Sequence, residues 1–183
     1  MKKLLTLMLV LAMASVASAS LLISVDGVVD PEDTSITLQE SQHAVIDVHS
    51  FGEIATVAGM IFVEGDGALS FDNAWIIDLD MGSEFIVDIS DDTEAQGYLQ
   101  SFGFNPVSIG YFELVDSQVP AQIIPDGKIV DLIDFHCTGI NDAIITLWDA
   151  GLEEVRDQQV IHQPEPMTIA LLGLGGLFLR RRK

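Results

Sequence analysis

Four histidines, one cysteine and several bunched carboxylates are the side chains of this 183-residue sequence that could hold an ion or move a proton. His43, His49, His136 and His162 show neither H-x-H nor one-turn helical spacing. Those spacings turn two imidazoles toward one ion, so no zinc site is expected. Asp30, Glu32 and Asp33 share one turn, and Asp91, Asp92 and Glu94 share another. Clustered carboxylates repel one another until a hard cation bridges them, which makes both groups candidate calcium ligands, with plain solvated loops as the alternative. Asp126-Gly127 resembles half of an EF-hand loop. Setting Gly127 as the loop glycine puts Pro125 and Ile123 where oxygen ligands belong, so a proline-led turn fits better.

Cys137 lies in an apolar run without a basic neighbour, and reads as a small buried hydrophobe rather than a nucleophile. As the only cysteine it allows no intramolecular disulfide. Trp148 shares a strand face with Ile144 and Thr146, opposite Ile145 and Leu147. That makes it the candidate exposed ring for stacking on a sugar, whereas alternation turns Trp75 inward. No G-x-S-x-G elbow, H-E-x-x-H pair or phosphate-binding glycine loop occurs, so no enzyme is expected. Paired carboxylates could hydrolyse glycosides, but among 28 acidic residues chance pairs carry no weight.

Charge narrows the partners. Six of the eight basic residues sit at the ends: Lys2, Lys3, Arg180, Arg181, Arg182 and Lys183. Residues 20–179 keep only Lys128 and Arg156 against all 28 acids, a formal charge of −26. Nucleic acid and anionic lipid should be repelled, and divalent cations or basic partners attracted.

The elements that must position these residues are mostly strands. Short apolar runs of period two alternate with Asp, Gly, Pro and Asn. The runs cover residues 21–25, 35–39, 43–49, 54–64, 73–81, 84–89, 109–115, 128–137 and 143–148, with a short extended piece between Pro120 and Pro125. Residues 43–49 put Ile46 and Val48 on one face, Asp47 and His49 on the other. Residues 73–81 turn Trp75 inward, and residues 84–89 turn Phe85, Val87 and Ile89 inward. Residues 91–101 suit a helix, begun by Asp91-Asp92-Thr93-Glu94. About nine strands with little helix predict an all-β fold, an antiparallel jelly-roll-like β-sandwich over residues 20–150. Residues 151–163 read as a polar linker.

The two ends predict export. Lys2 and Lys3 precede an apolar stretch, and Ala17-Ser18-Ala19 fits the A-x-A rule, so residues 1–19 read as a signal peptide cut after Ala19 by signal peptidase. At the other end Pro164-Glu165-Pro166 precedes an apolar, glycine-containing segment and Arg180-Arg181-Arg182-Lys183. As a helix that segment reaches about 20 Å, short of the roughly 30 Å hydrocarbon core. Snorkelling arginines could make up the difference, and a basic cluster prefers the cytoplasmic side. Residues 164–183 thus resemble a PEP-CTERM sorting signal, apart from Met167, where that family more often has a small residue. The resemblance implies recognition by an exosortase, a membrane transpeptidase that removes the tail, and delivery of the body to the cell surface or exopolysaccharide matrix. A permanent transmembrane tail anchor is the alternative.

The body carries a second resemblance. Val57-Ala58-Gly59-Met60-Ile61-Phe62-Val63 is similar to an early cohesin strand. Ile133-Asp134-Phe135-His136-Cys137-Thr138-Gly139, followed by Asp142-Ala143-Ile144-Ile145-Thr146-Leu147, looks like a cohesin closing hairpin. Cohesins are jelly-roll sandwiches that bind calcium-dependent dockerin modules and share their architecture with cellulose-binding modules. The expectation is a surface-sorted, non-catalytic binding or structural module, with a dockerin-like module or extracellular polysaccharide as partner and calcium as the candidate cofactor. A carbohydrate-binding module is the alternative, and a secreted hydrolase the third.

Overall fold

Asp26 and Gly27 both adopt positive φ, 50° and 81°. A two-residue loop with that backbone folds a strand straight back on itself. It joins β1 (Ser20–Val25) to β2 (Val28–Val29), with Val25 opposite Val28. The structure is a computed structural model describing residues 20–29, 36–52, 56–78, 83–115 and 123–162. The other strands are β3 (Ile36–Thr37), β4 (His43–Phe51), β5 (Thr56–Gly65), β6 (Gly67–Ser70), β7 (Trp75–Ile76), β8 (Ser83–Asp88), β9 (Ser108–Val115), β10 (Gly127–Cys137), β11 (Ala143–Asp149) and β12 (Glu154–His162). The helix is α1 (Thr93–Ser101).

These strands form two facing sheets. The first runs β2-β1-β4-β10-β6, with β7 also paired to β10; the second runs β3-β12-β11-β5-β9-β8. Pairing is antiparallel except between β3 and β12. Alternation supplies the core between the sheets. Ile23, Ile46, Val48, Ile133 and Phe135 point in from the first sheet; Ile61, Val63, Phe112, Leu114, Ile145 and Leu147 from the second. Each buried side chain of this size stabilises the fold by about 1.5–3 kcal/mol relative to an exposed one. At Gly110 the Phe71 ring occupies the place of a Cβ, so only glycine lets the layers approach there.

A second cluster forms on the outer side of the second sheet. Asp92 caps α1, its Oδ1 accepting the N–H groups of Glu94 (2.8 Å) and Ala95 (3.2 Å). The helix lays Leu99 over Phe62, Ile109 and Trp148, all four buried. One outer face is therefore covered, a feature that alternation alone could not show.

Several expectations are corrected. The expected linker 151–163 is corrected over its described part: β12 (Glu154–His162) pairs along β11 and carries the domain to His162. Its register with β11 sets Asp157 opposite Leu147, Gln159 opposite Ile145 and Ile161 opposite Ala143. Polar residues thus share the inward side with a single isoleucine, which hides the strand pattern. Asp157 Oδ2 accepts the Ile23 N–H at 2.6 Å, tying the two sheets together along that margin. In β8, Ile86 pairs with inward-facing Phe112 and packs on the core, leaving Phe85 and Val87 exposed. Phe85-Ile86-Val87 is apolar throughout, so alternation could not choose the face. Of the expected strand 73–81, residues 73–78 are described, and among them Trp75–Ile76 form the strand. Ile76 lies opposite Val130 and turns inward, which sends Trp75 out, 48% exposed. The expected signal peptide (1–19), the calcium candidates Asp30, Glu32 and Asp33, and the expected sorting tail (164–183) lie outside the described residues.

Candidate functional site

The outer face of the first sheet carries most of the polar chemistry. β4 turns His43, Val45, Asp47 and His49 outward, opposite the inward Ala44, Ile46 and Val48. β10 lies beside it but is two residues longer between matched positions. Its register with β4 steps between Lys128 and Val130 and again between Val130 and Ile133. Such bulges bend a strand and re-aim its side chains. Here they place Leu132 at φ +60°, a strained setting for a non-glycine residue, with its side chain 46% exposed.

Asp47 holds this bend. Although it sits on the outer face, it is only 1% exposed. Its Oδ1 accepts the Leu132 N–H at 3.1 Å, and its Oδ2 accepts Ser24 Oγ–H at 3.2 Å. Lys128 Nζ lies 2.9 Å from Asp47 Oδ2 and 2.9 Å from Asp131 Oδ1. His49 Nε2 bonds Ser24 Oγ at 3.1 Å. A buried carboxylate needs such partners, since an unpaired one costs several kcal/mol.

Hydrogen bonds to Asp131 and then Asp47 raise the Lys128 ammonium above its ordinary range. Burial pushes Asp131 up, but its contacts with Asp47, Lys128 and the Leu132 N–H outweigh that and leave it below the usual carboxylate range. Burial draws His49 down, against the charge of Asp47. A lysine held charged between two carboxylates is a poor nucleophile and a poor base. The cluster fixes the backbone at Leu132.

Around it lie exposed apolar side chains. Trp75 is opposite Asp131 and Val45 opposite Asp134, with Val45 37% exposed. At the far end of β4 and β10, His43 and His136 are direct cross-strand partners. Among the described residues no helix or strand packs over this face, in contrast to the α1-covered face opposite.

The residues singled out from sequence fall elsewhere. Trp148 is corrected: it is 3% exposed beneath α1, edge-on to Phe104 (5.5 Å) and tilted against Phe102 (4.9 Å), and offers no ring face to a sugar. Its indole Nε1 is buried with no hydrogen-bond partner among the described residues. Asp92 is engaged in capping, with Asp91 and Glu94 exposed beside it. Cys137 is buried as expected, and burial pushes its thiol up. Asp126 is a turn residue, its Oδ1 accepting the Gly52 N–H at 2.8 Å. Sequence reasoning missed Asp47, Asp131, Leu132 and the pairing of His43 with His136. The usable signals were an acid inside an apolar strand and Lys128, one of two cations in the body.

No protein-family model matches this chain, and no curated protein matches it either. Among solved structures it is similar to a non-cellulosomal cohesin from the hyperthermophilic archaeon Archaeoglobus fulgidus, at 8% identity and TM-score 0.41, over 80% of this chain and 91% of that one. It is similar to the sixth cohesin of Acetivibrio cellulolyticus scaffoldin B, in complex with a Cel5 dockerin mutant, at 13% identity and TM-score 0.35, over 79% and 99%. A type I cohesin–dockerin complex from Clostridium thermocellum gives 9% identity and TM-score 0.36, over 80% and 99%.

Proposed function

We propose that this chain is an exported, non-catalytic binding module that docks a protein partner on the outer face of its first sheet. One observation carries the reading: Leu132 is held exposed, in a strained backbone setting, by a buried carboxylate–lysine cluster. Strain of this kind persists only where surrounding structure enforces it, and it gathers at binding sites. Leu132, Trp75 and Val45 supply exposed apolar anchors on a sheet face that no described helix or strand covers, and Asp131 and Asp134 lie among them. Apolar anchors ringed by polar groups are the usual anatomy of a protein interface.

The charge of −26 on the body favours a basic or calcium-charged partner. The cohesin resemblance of the sequence makes a dockerin-like module the first partner to test. The signal-like residues 1–19 and the PEP-CTERM-like residues 164–183 support export and sorting by an exosortase.

The test is retention from the native envelope on the immobilised full chain, with and without calcium, comparing wild type with Leu132→Asp and Trp75→Ala. A protein retained by wild type and released by both variants supports docking on this face. Retention of purified polysaccharide alone, or of a protein indifferent to both substitutions, rejects it.

A further inference from the structure

The strand register brings together two histidines 93 residues apart in sequence. His43 on β4 and His136 on β10 stand directly opposite, their rings stacked with centroids 4.5 Å apart and planes 9° from parallel. His43 Nδ1 lies 2.8 Å from Asp134 Oδ2 and 3.1 Å from Oδ1. A carboxylate only accepts, so Nδ1 carries the proton, and in the neutral ring the Nε2 lone pair points away from Asp134. A carboxylate bonded to one ring nitrogen fixes the tautomer and makes the other nitrogen a better metal donor. The His43 and Asp134 side chains are 55% and 41% exposed. The next residue along the row is the small Ala68 of β6, opposite His136.

We propose that His43 and His136 chelate a borderline transition-metal ion, Zn²⁺ foremost, with Asp134 orienting the His43 ring. Imidazole nitrogens select zinc, copper or nickel over calcium and magnesium, and the anionic body concentrates cations at its surface. Among the described residues no group of three or more His, Cys, Asp or Glu side chains is arranged to hold a metal ion. The site is therefore an open two-nitrogen chelate completed by water. Two nitrogens on a tetrahedral zinc stand about 3.3 Å apart, so binding splays the stacked rings until their donor edges converge.

Untagged full-length chain in detergent is titrated calorimetrically with zinc chloride. Wild type binds one zinc per chain. His43→Ala and His136→Ala each weaken binding at least tenfold, and Asp134→Asn weakens it severalfold. His49→Ala and His162→Ala, outside the pair, bind as wild type. Thermal melts verify that the variants fold, and the imidazole proton resonances of His43 and His136 both shift on zinc addition. No zinc binding by wild type, equal affinity in His136→Ala, or displacement of the zinc by calcium overturns the proposal.

Discussion

Replacing Lys128 with methionine tests the clamp beneath Leu132. The substitution keeps most of the stem and removes the ammonium that bridges Asp47 and Asp131. Breaking a fully buried ion pair from one side costs about 3–5 kcal/mol. Asp47 is buried, but the lysine side chain is 39% exposed, so water replaces part of the ammonium and about 2 kcal/mol is expected at neutral pH. Asp47→Asn should cost less, about 1 kcal/mol, because Lys128 keeps Asp131 and no charge is stranded.

The pH dependence has a definite sign. Lys128 has a raised folded pKa, so its contribution is complete below the unfolded lysine value of about 10.4 and fades as pH rises through the folded value. Asp131 has a lowered folded pKa, so its contribution is complete above the unfolded value of about 3.9 and fades as pH falls through the folded one. Without Lys128, Asp131 loses the hydrogen bond and the charge that lower its folded pKa, so the variant has less of this contribution to lose on acidification. Urea unfolding followed by tryptophan fluorescence should show the gap between Lys128→Met and wild type steady from neutral pH to about pH 4 and narrowing as pH falls further. A neutral-pH gap below about 0.5 kcal/mol, or one that does not change with pH, refutes the clamp.

Asp92→Ala removes the cap of α1 and should cost about 1 kcal/mol; hydrogen exchange should quicken in the helix and not in β4 or β10. Tyr111 donates its hydroxyl to Glu113 at 2.7 Å, and burial together with that bond pushes its phenol up to about 12. Ultraviolet titration should show a late-ionising tyrosine that vanishes in Tyr111→Phe. The stabilisation from that phenol is intact below the unfolded tyrosine value of about 10 and lost as pH climbs through the folded one. Cys137, buried and with a raised thiol pKa, should resist alkylation in the native protein and react fully in urea.

The strands β4, β5, β9, β10 and β11 were legible because each alternates against one core, and the two-layer β fold followed from them. Where both faces of a segment are apolar, as at Trp75-Ile76 and Phe85-Ile86-Val87, alternation has no preference, and pairing with Val130 and Phe112 decided instead. β12 escaped because its inward positions include Asp157 and Gln159, whose burial depends on partners in other strands. Trp148 was misread because α1 covers its face, and helix placement is a tertiary fact. The Asp47–Leu132 cluster and the histidine pair stayed hidden for a related reason. Asp47 with Leu132, and His43 with His136, meet only through the β4–β10 register, which a linear pattern does not encode.

The parallel pairing of β3 with β12 matters to a domain tugged from its C-terminal side. Tension entering after His162 arrives where Ile161 is gripped on both flanks, by Ala143 of β11 and Ile36 of β3. The Leu38 N–H holds the His162 carbonyl at 3.0 Å. Both grips must open before the β11–β12 hairpin can peel, so β12 resists tension at its C-terminal end better than a strand paired on one side would.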